Sequence, residues 1–310
     1  QLLVLESTTY PGTTEEVVLP LLEKKGLKVE KDFYLAFSPE RVDPGNKQFS
    51  TVSIPKVVGG AGPASLAAAK ALYGAIIDNI VEVSSAKTAE MVKLLENTFR
   101  SVNIGLINEI TIMSHRIGID IWEVIEAAKT KPFGFMSFYP GPGLGGHCLP
   151  IDPLYLSWKS RLHGYEAKMI ELASSINEAM PEYVVERLID LLNKKGIPLK
   201  GACILVAGVA YKRNVDDLRE SPALEVIKQL LLRGSKVTYT DPYIPSLELD
   251  GMRLASRGLT PEFLKKQHCV VILTDHDALD TEMIVAHSKM IFDTRNALRK
   301  FKPKGHLFFL

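Results

Sequence analysis

Between Cys203 and Asp241 the chain spells out one supersecondary unit in full. Cys203-Ile204-Leu205-Val206-Ala207 is a short apolar run of strand length, and residues 222–233 carry helical patterning from a first-turn proline to a closing Gly234. Lys236-Val237-Thr238-Tyr239-Thr240 is a second strand ending at Asp241. Strand, helix and strand in this spacing make a βαβ unit, whose two strands must lie parallel because the helix returns the chain to the starting edge. Further strands at 268–273 and 289–293 extend it into a doubly wound domain, with ligands expected at the carboxyl ends of the strands. Tyr211, Lys212, Asp241 and Arg295 are the candidates there.

The amino-terminal part is α/β material as well. Leu2-Leu3-Val4-Leu5-Glu6 reads as a buried strand leading through Ser7-Thr8-Thr9-Tyr10-Pro11-Gly12-Thr13-Thr14 into a helix, and strands near 33–37, 56–59 and 80–83 predict a parallel sheet. A domain that opens in mid-sheet is expected to be the second half of a larger one. Residues 86–130 and 165–193 show apolar positions at helical spacing, with a loop from 131 to 153 between them. A long helical section this apolar fits a subunit interface, so a homodimer is expected, with an intramolecular core as the alternative. After the linker at 194–198 the second α/β domain begins. The expected organisation is two Rossmann-like doubly wound domains, the first incomplete, joined by a long-helix region, with segments 1–84, 85–198 and 199–310.

Thirty-seven basic against thirty-six acidic residues leave almost no net charge, which gives no electrostatic footprint for nucleic acid or an anionic membrane. The longest apolar runs are far too short to span a bilayer, and no cleavable signal opens the chain, so a cytoplasmic location is expected. Cys148, Cys203 and Cys269 are an odd, widely spaced set without a CxxC pair, fitting neither a disulfide framework nor a metal site. Cys203 and Cys269 lie in apolar strands, where a buried, inert thiol is expected.

Cys148 differs, because it lies in Gly141-Pro142-Gly143-Leu144-Gly145-Gly146-His147-Cys148-Leu149-Pro150-Ile151-Asp152. The string satisfies G-x-G-x-x-G, but no apolar strand precedes it and Pro142 interrupts it, so it is not a dinucleotide fingerprint. Its glycines are expected to let backbone approach a ligand, with aromatic residues lining the wall. Pro150 suits the first turn of a helix beginning beside Cys148, whose dipole would make the thiol reactive, and Asp152 would then share its face as a base or a water-positioning group. A buried cysteine beside a capping aspartate is the bland alternative. Lys93 and Asn97, one helical turn apart on a mostly apolar helix, could stabilise an oxyanion, unless Lys93 only snorkels to solvent. Glu40, closing a strand in Ser38-Pro39-Glu40-Arg41, is a candidate acid or base, or else the partner of Arg41 in a salt bridge.

Taken in order, Ser7-Thr8-Thr9-Tyr10-Pro11-Gly12-Thr13, Ser38-Pro39-Glu40-Arg41, Glu90 to Asn97, Gly145 to Asp152, Gly208 to Lys212 with Asp217-Leu218-Arg219-Glu220-Ser221, and Asp293-Thr294-Arg295 resemble the UDP-sugar 6-dehydrogenase family. The stretch Lys131-Pro132-Phe133-Gly134-Phe135 looks most like its N-acetylhexosamine branch. The resemblance implies oxidation of a UDP-sugar C6 alcohol through an aldehyde to a carboxylate with reduction of two NAD. Cys148 would trap the aldehyde, Lys93 and Asn97 would stabilise oxyanions, and Glu40 and Asp152 would handle water and protons. Thr8 and Arg219 would reach NAD, while Arg41, Tyr139, Gly145, Tyr211, Lys212 and Arg295 would contact the UDP-sugar. The family's glycine fingerprint and acidic ribose ligand do not occur in the sequence, so an amino-terminally truncated NAD domain is expected, with a UDP-sugar-binding fragment as the alternative function.

Overall fold

The computed structural model describes residues 1–24, 26–42, 51–301 and 305–310. The chain forms two compact units, one of Gln1–Arg100 with Ile151–Glu171, the other of Ser101–Pro150 with Leu172–Leu310. This partition differs from the three segments read from the sequence, because the long helices α3 (Ala86–Ile117) and α6 (Lys168–Asn193) contribute to both units.

The first unit is built on a four-stranded sheet in the order β1 (Leu2–Leu5), β2 (Tyr34–Phe37), β3 (Lys56–Gly60), β4 (Ile80–Val83). β1 and β2 run parallel, as do β3 and β4, but β2 and β3 pair antiparallel through Ala36 opposite Gly60 and Phe37 opposite Gly59. The expected all-parallel sheet is therefore mixed. An antiparallel neighbour needs no crossover helix, and side-chain alternation reads the same in either strand direction, so the pattern could not distinguish the two. A wide helical turn at Thr14–Val18 leads into α1 (Leu19–Glu23), and α2 (Pro63–Gly74) covers one sheet face. Ala36, Val58, Ala69, Tyr73 and Ile77 form the core on that face, and Phe37, Val57, Ala86 and Ala89 form it on the other. A Cβ on Gly59 or Gly60 would strike the backbone of Ser85 or Leu66, so the Gly-Gly end of β3 is set by close approach of neighbouring chain. α5 (Asp152–Leu162) completes the unit.

The second unit carries the doubly wound domain. Its sheet, ordered β11 (Leu307–Phe309), β10 (Ile291–Asp293), β9 (Cys269–Ile272), β5 (Cys203–Ala207), β6 (Lys236–Thr240), is parallel throughout. Alternate strand residues pack on opposite faces. Ile204, Val206, Val271 and Phe292 join α6 and α7 (Pro222–Leu232), while Leu205, Val270, Ile272 and Ile291 join α8 (Pro261–Lys266) and α9 (Thr281–His287). Burial on both faces is why these strands read as continuous apolar runs, each fully buried Leu, Ile or Val adding about 1.5–3 kcal/mol. A hairpin of β7 (Ser246–Leu249) and β8 (Met252–Ala255), absent from the sequence reading, turns at Asp250-Gly251, both with positive φ. The helix expected over 86–130 is two helices. Gly118, at φ +77°, ends α3, and Asp120 caps α4 (Ile121–Ala128) by accepting from the amides of Trp122 and Glu123. Among the described residues no helix is long and apolar enough to cross a membrane.

Candidate functional site

In the first unit the chain leaves β1 into the loop holding Thr8. That loop is fastened by Glu90 of α3, a fully buried carboxylate whose Oε1 accepts from the Thr14 amide at 2.8 Å and the Thr14 hydroxyl at 2.7 Å, while Oε2 accepts from the Gly12 amide. Thr8 is half-buried, and the neighbouring Thr9 hydroxyl is buried with no hydrogen-bond partner among the described residues. On the same helix Lys93 is half-buried and Asn97 buried, and Asn97 Nδ2 donates to Asp152 Oδ2 at 2.6 Å. Two residues singled out from the sequence on separate grounds are thus hydrogen-bonded.

Glu40 does not pair with the Arg41 guanidinium. Its Oε1 accepts from the amides of Arg41 and Val42, and Oε2 lies 3.8 Å from Lys56 Nζ. The Arg41 guanidinium donates instead to Glu96 at 2.6 Å and to the Pro55 carbonyl at 2.7 Å. Lys56 also reaches Glu6 at 3.2 Å; the Tyr73 hydroxyl, donating to Glu6 at 2.7 Å, is the main cause of that carboxyl lying below its ordinary range.

In the second unit Cys148 is solvent-exposed. It lies in a turn, and α5 begins only at Asp152, with Pro153 in the first helical turn. The expected helix start beside the sulfur is therefore displaced by three residues, and the shared-face argument for Asp152 fails with it: Pro153 takes the role assigned to Pro150. Cys269 is buried, and burial pushes its thiol well up; Cys203, expected to be buried, is half-buried.

The glycines of the loop make room for this chain's own side chains, not only for a ligand. A Cβ on Gly141 would meet the Arg295 guanidinium, one on Gly145 would come within 2.8 Å of Tyr211 Cβ, and one on Gly146 within 2.7 Å of the Tyr211 ring. The Gly146 amide also donates to the Arg219 carbonyl. Tyr211 thus packs directly on the Cys148 loop. Tyr139 stacks on Trp122 at 6.1 Å, donates to Glu126 and accepts from Lys129. Tyr139 and Arg295 line a cavity of about 330 Å³ with Trp122, Glu126, Pro140, Asp275 and Asn296. Arg295 Nε lies 3.6 Å from Asp275, Lys212 is half-buried beside Tyr211, and the exposed Arg219 grips Asp217 through both carboxylate oxygens at 2.6–3.0 Å.

Asp241, a ligand candidate from its strand-end position, is buried and spent on the protein. Oδ2 accepts from the amides of Val209 and Ala210 and Oδ1 from those of Tyr243 and Ile244. Burial alone would raise its carboxyl, but bonds from His276 and these amides outweigh burial and hold it below the ordinary range. Sequence reasoning also passed over Asn108 and Asn177. Both are buried: Asn108 Nδ2 donates to Asn177 Oδ1 at 2.9 Å, Asn177 Nδ2 to the Ser101 carbonyl at 3.1 Å, and the Gly141 amide to Asn108 Oδ1 at 3.1 Å. Two asparagines inside otherwise amphipathic helices were the available signal.

Residues 1–77 match the NAD binding domain of the UDP-glucose/GDP-mannose dehydrogenase family, residues 87–179 its central domain and residues 205–300 its UDP binding domain. The UDP-N-acetyl-D-glucosamine 6-dehydrogenase of Pseudomonas aeruginosa is 36% identical over 311 residues, covering 99% of this chain and 70% of that protein. The UDP-N-acetyl-D-mannosamine dehydrogenase of Methanocaldococcus jannaschii is 38% identical over 307 residues, 96% of this chain and 67% of that protein. The chain spans 66% of the Methanococcus maripaludis UDP-N-acetyl-D-mannosamine dehydrogenase. The solved UDP-D-ManNAc dehydrogenase of Pyrococcus horikoshii superposes with a TM-score of 0.88 at 36% identity, covering 99% of this chain and 72% of that one. The chain therefore belongs to the UDP-glucose/GDP-mannose dehydrogenase family, NAD-dependent oxidoreductases of nucleotide sugars.

Proposed function

We propose that this protein oxidises the C6 alcohol of a UDP-N-acetylhexosamine, UDP-GlcNAc or UDP-ManNAc, to the uronate through a covalent intermediate on Cys148. The observation that carries the reading is the buried bond from Asn97 to Asp152 at 2.6 Å, one helical turn from Lys93. It fixes a carboxylate as an acceptor and leaves the second N–H of the Asn97 amide for another oxygen.

The loop after β1 fits a cofactor. It follows the carboxyl end of a parallel strand, Glu90 fixes its course, and the Thr9 hydroxyl is buried without a partner among the described residues. Thr8 and Thr9 would hold NAD there, with Arg219 as a further contact. NAD supplies the hydride acceptor for each of the two oxidations.

Cys148 acts on the aldehyde. Its sulfur bonds to C6 while the thiol proton passes to the carbonyl oxygen, giving a thiohemiacetal, which loses a hydride and a proton to become a thioester. Water then adds to the thioester carbon, Asp152 takes a water proton and returns it to the departing sulfur, and the C–S bond breaks to restore the thiol and leave the carboxylate, whose remaining proton is released. Lys93 and the Asn97 amide stabilise the oxyanion at each addition, and Glu40, anchored by Lys56, orients the water. Alcohol, two NAD and one water thus give carboxylate, two NADH and three protons. Lys212, Arg295, Arg41, Tyr139, Tyr211 and Gly145 bind the UDP-sugar.

Function in a homodimer is part of the same reading. Met91, Leu95, Phe99, Leu106, Met113 and Ile117 are exposed along α3 at spacings of four or seven residues, a single apolar stripe that a second copy would cover.

The test is the stoichiometry of NADH released by the full-length protein from UDP-GlcNAc and UDP-ManNAc. Two NADH per sugar are expected from one of them, and Cys148→Ala should never reach two. Turnover of neither sugar, or an undiminished two with Cys148→Ala, removes the proposal.

A further inference from the structure

We infer that His276 is a positioning residue for the nucleotide, acting with Asp241 to set the backbone of the turn that presents Tyr211 and Lys212. The inference rests on the reading above that Lys212 binds the UDP-sugar, and names what holds Lys212 in place.

His276 lies in the loop after β9 and Asp241 directly after β6, flanking the loop after β5 at the carboxyl end of the sheet. Both side chains are fully buried. The Asn214 amide donates to His276 Nδ1 at 2.9 Å, so Nδ1 is an acceptor and the ring proton sits on Nε2, which donates to Asp241 Oδ2 at 3.0 Å. The same Oδ2 accepts from the amides of Val209 at 2.7 Å and Ala210 at 3.2 Å. One connected pair of side chains therefore holds the backbone at 209 and 210, before Tyr211-Lys212, and at 214, after it.

The rest of the turn depends on this grip. Asn214 has φ +61°, a conformation a non-glycine residue keeps only when its surroundings over-determine it. Its side chain is held by Asp277, donating at 2.6 Å and accepting from the Asp277 amide at 2.9 Å, and its backbone by His276. Thr274 Oγ1 donates to the Ala210 carbonyl at 2.6 Å, and Asp275 faces both Arg213 and Arg295, at 3.7 and 3.6 Å. Segment 274–277 thus touches the loop that carries Lys212 and also the Arg295 guanidinium. A binding group performs to the extent that its supporting shell is fixed.

A buried His-Asp pair that only stabilises the fold would lower the melting temperature and leave the affinity of the folded protein alone. The two readings separate by calorimetric titration of UDP into the chain and its variants, well below each melting temperature. His276→Ala removes the acceptor for the Asn214 amide and should weaken UDP binding about tenfold or more, the loss expected for an unmade buried hydrogen bond. His276→Asn returns an acceptor at the place of Nδ1 and should stay within about threefold of the parent, whereas His276→Gln, mimicking Nε2, should fall with the alanine variant. In turnover, KM should rise with kcat kept. An alanine variant within about twofold of the parent, or equal losses in the Asn and Gln variants, overturns the inference; the Asn and Gln pair decides it if the alanine variant does not fold. Lys212→Ala is the control. If it binds UDP like the parent, the placement of UDP fails; if it loses affinity while His276→Ala does not, only the positioning role fails.

Discussion

The asparagine ladder behind the Gly-Pro-Gly loop offers a test in which the structure sets the magnitude. Asn177→Leu keeps the branched shape of the side chain and breaks two bonds, from Asn108 Nδ2 and to the Ser101 carbonyl. At about 1 kcal/mol net for each bond, with a similar penalty for the buried Asn108 amide left unpaired, the variant should lose about 3 kcal/mol. Asn108→Leu breaks the shared bond and the one from the Gly141 amide, and strands Asn177 in turn, for a similar cost. The shared bond is counted in both single variants but is lost only once in the pair, where neither asparagine remains to be stranded. The double variant should therefore cost about 3 kcal/mol, some 3 kcal/mol less than the sum. Urea unfolding supplies the energies, and amide exchange at Gly141 supplies the local readout, with protection lost in Asn108→Leu and largely kept in Asn177→Leu. A cost below about 0.5 kcal/mol for Asn177→Leu, or strict additivity, would show that the ladder does not work as a coupled unit.

Asp293 gives a prediction on pH. Burial pushes its carboxyl up to about 6, so the folded chain keeps the proton only up to about that pH; the stability this gives is complete below the unfolded aspartate value and disappears as pH rises through about 6. The difference corresponds to about 3 kcal/mol, and Asp293→Asn should flatten the fall in unfolding free energy between pH 4 and 7 by about that amount; an unchanged pH slope refutes it. For the apolar stripe on α3, Leu106→Glu should convert a dimer to a monomer in light scattering with helicity unchanged in circular dichroism, and a variant that remains dimeric removes that stripe as the interface.

What the sequence made legible depended on whether a local pattern had one structural meaning. The βαβ unit at 203–240 did, since two apolar strands and a capped helix admit one arrangement, and the parallel sheet β11-β10-β9-β5-β6 follows from it. The β2-β3 pair did not, because alternation carries no direction. Helical periodicity in 86–130 survived the break at Gly118 because α4 resumes the apolar pattern, and only the glycine and Asp120 mark the joint. Asn97 and Asp152 were each legible as polar groups with a task, but their hydrogen bond joins residues fifty-five positions apart, beyond any local rule.

The same limit explains the glycines of the Cys148 loop. Glycine declares that something approaches the backbone, and a sequence does not say what. The structure answers Arg295 at Gly141 and Tyr211 at Gly145 and Gly146, side chains themselves singled out as nucleotide ligands. A loop of Gly141-Pro142-Gly143-Leu144-Gly145-Gly146 with larger residues at these three positions would displace Tyr211 and Arg295 before it met any substrate. Under the proposed function its glycines would therefore act on the nucleotide through this chain's own binding residues, and the dependence runs on through the turn at Lys212 to Asp241, a ligand candidate from its strand end that is spent on the protein, and to His276, which makes no claim on a ligand when read from the sequence alone.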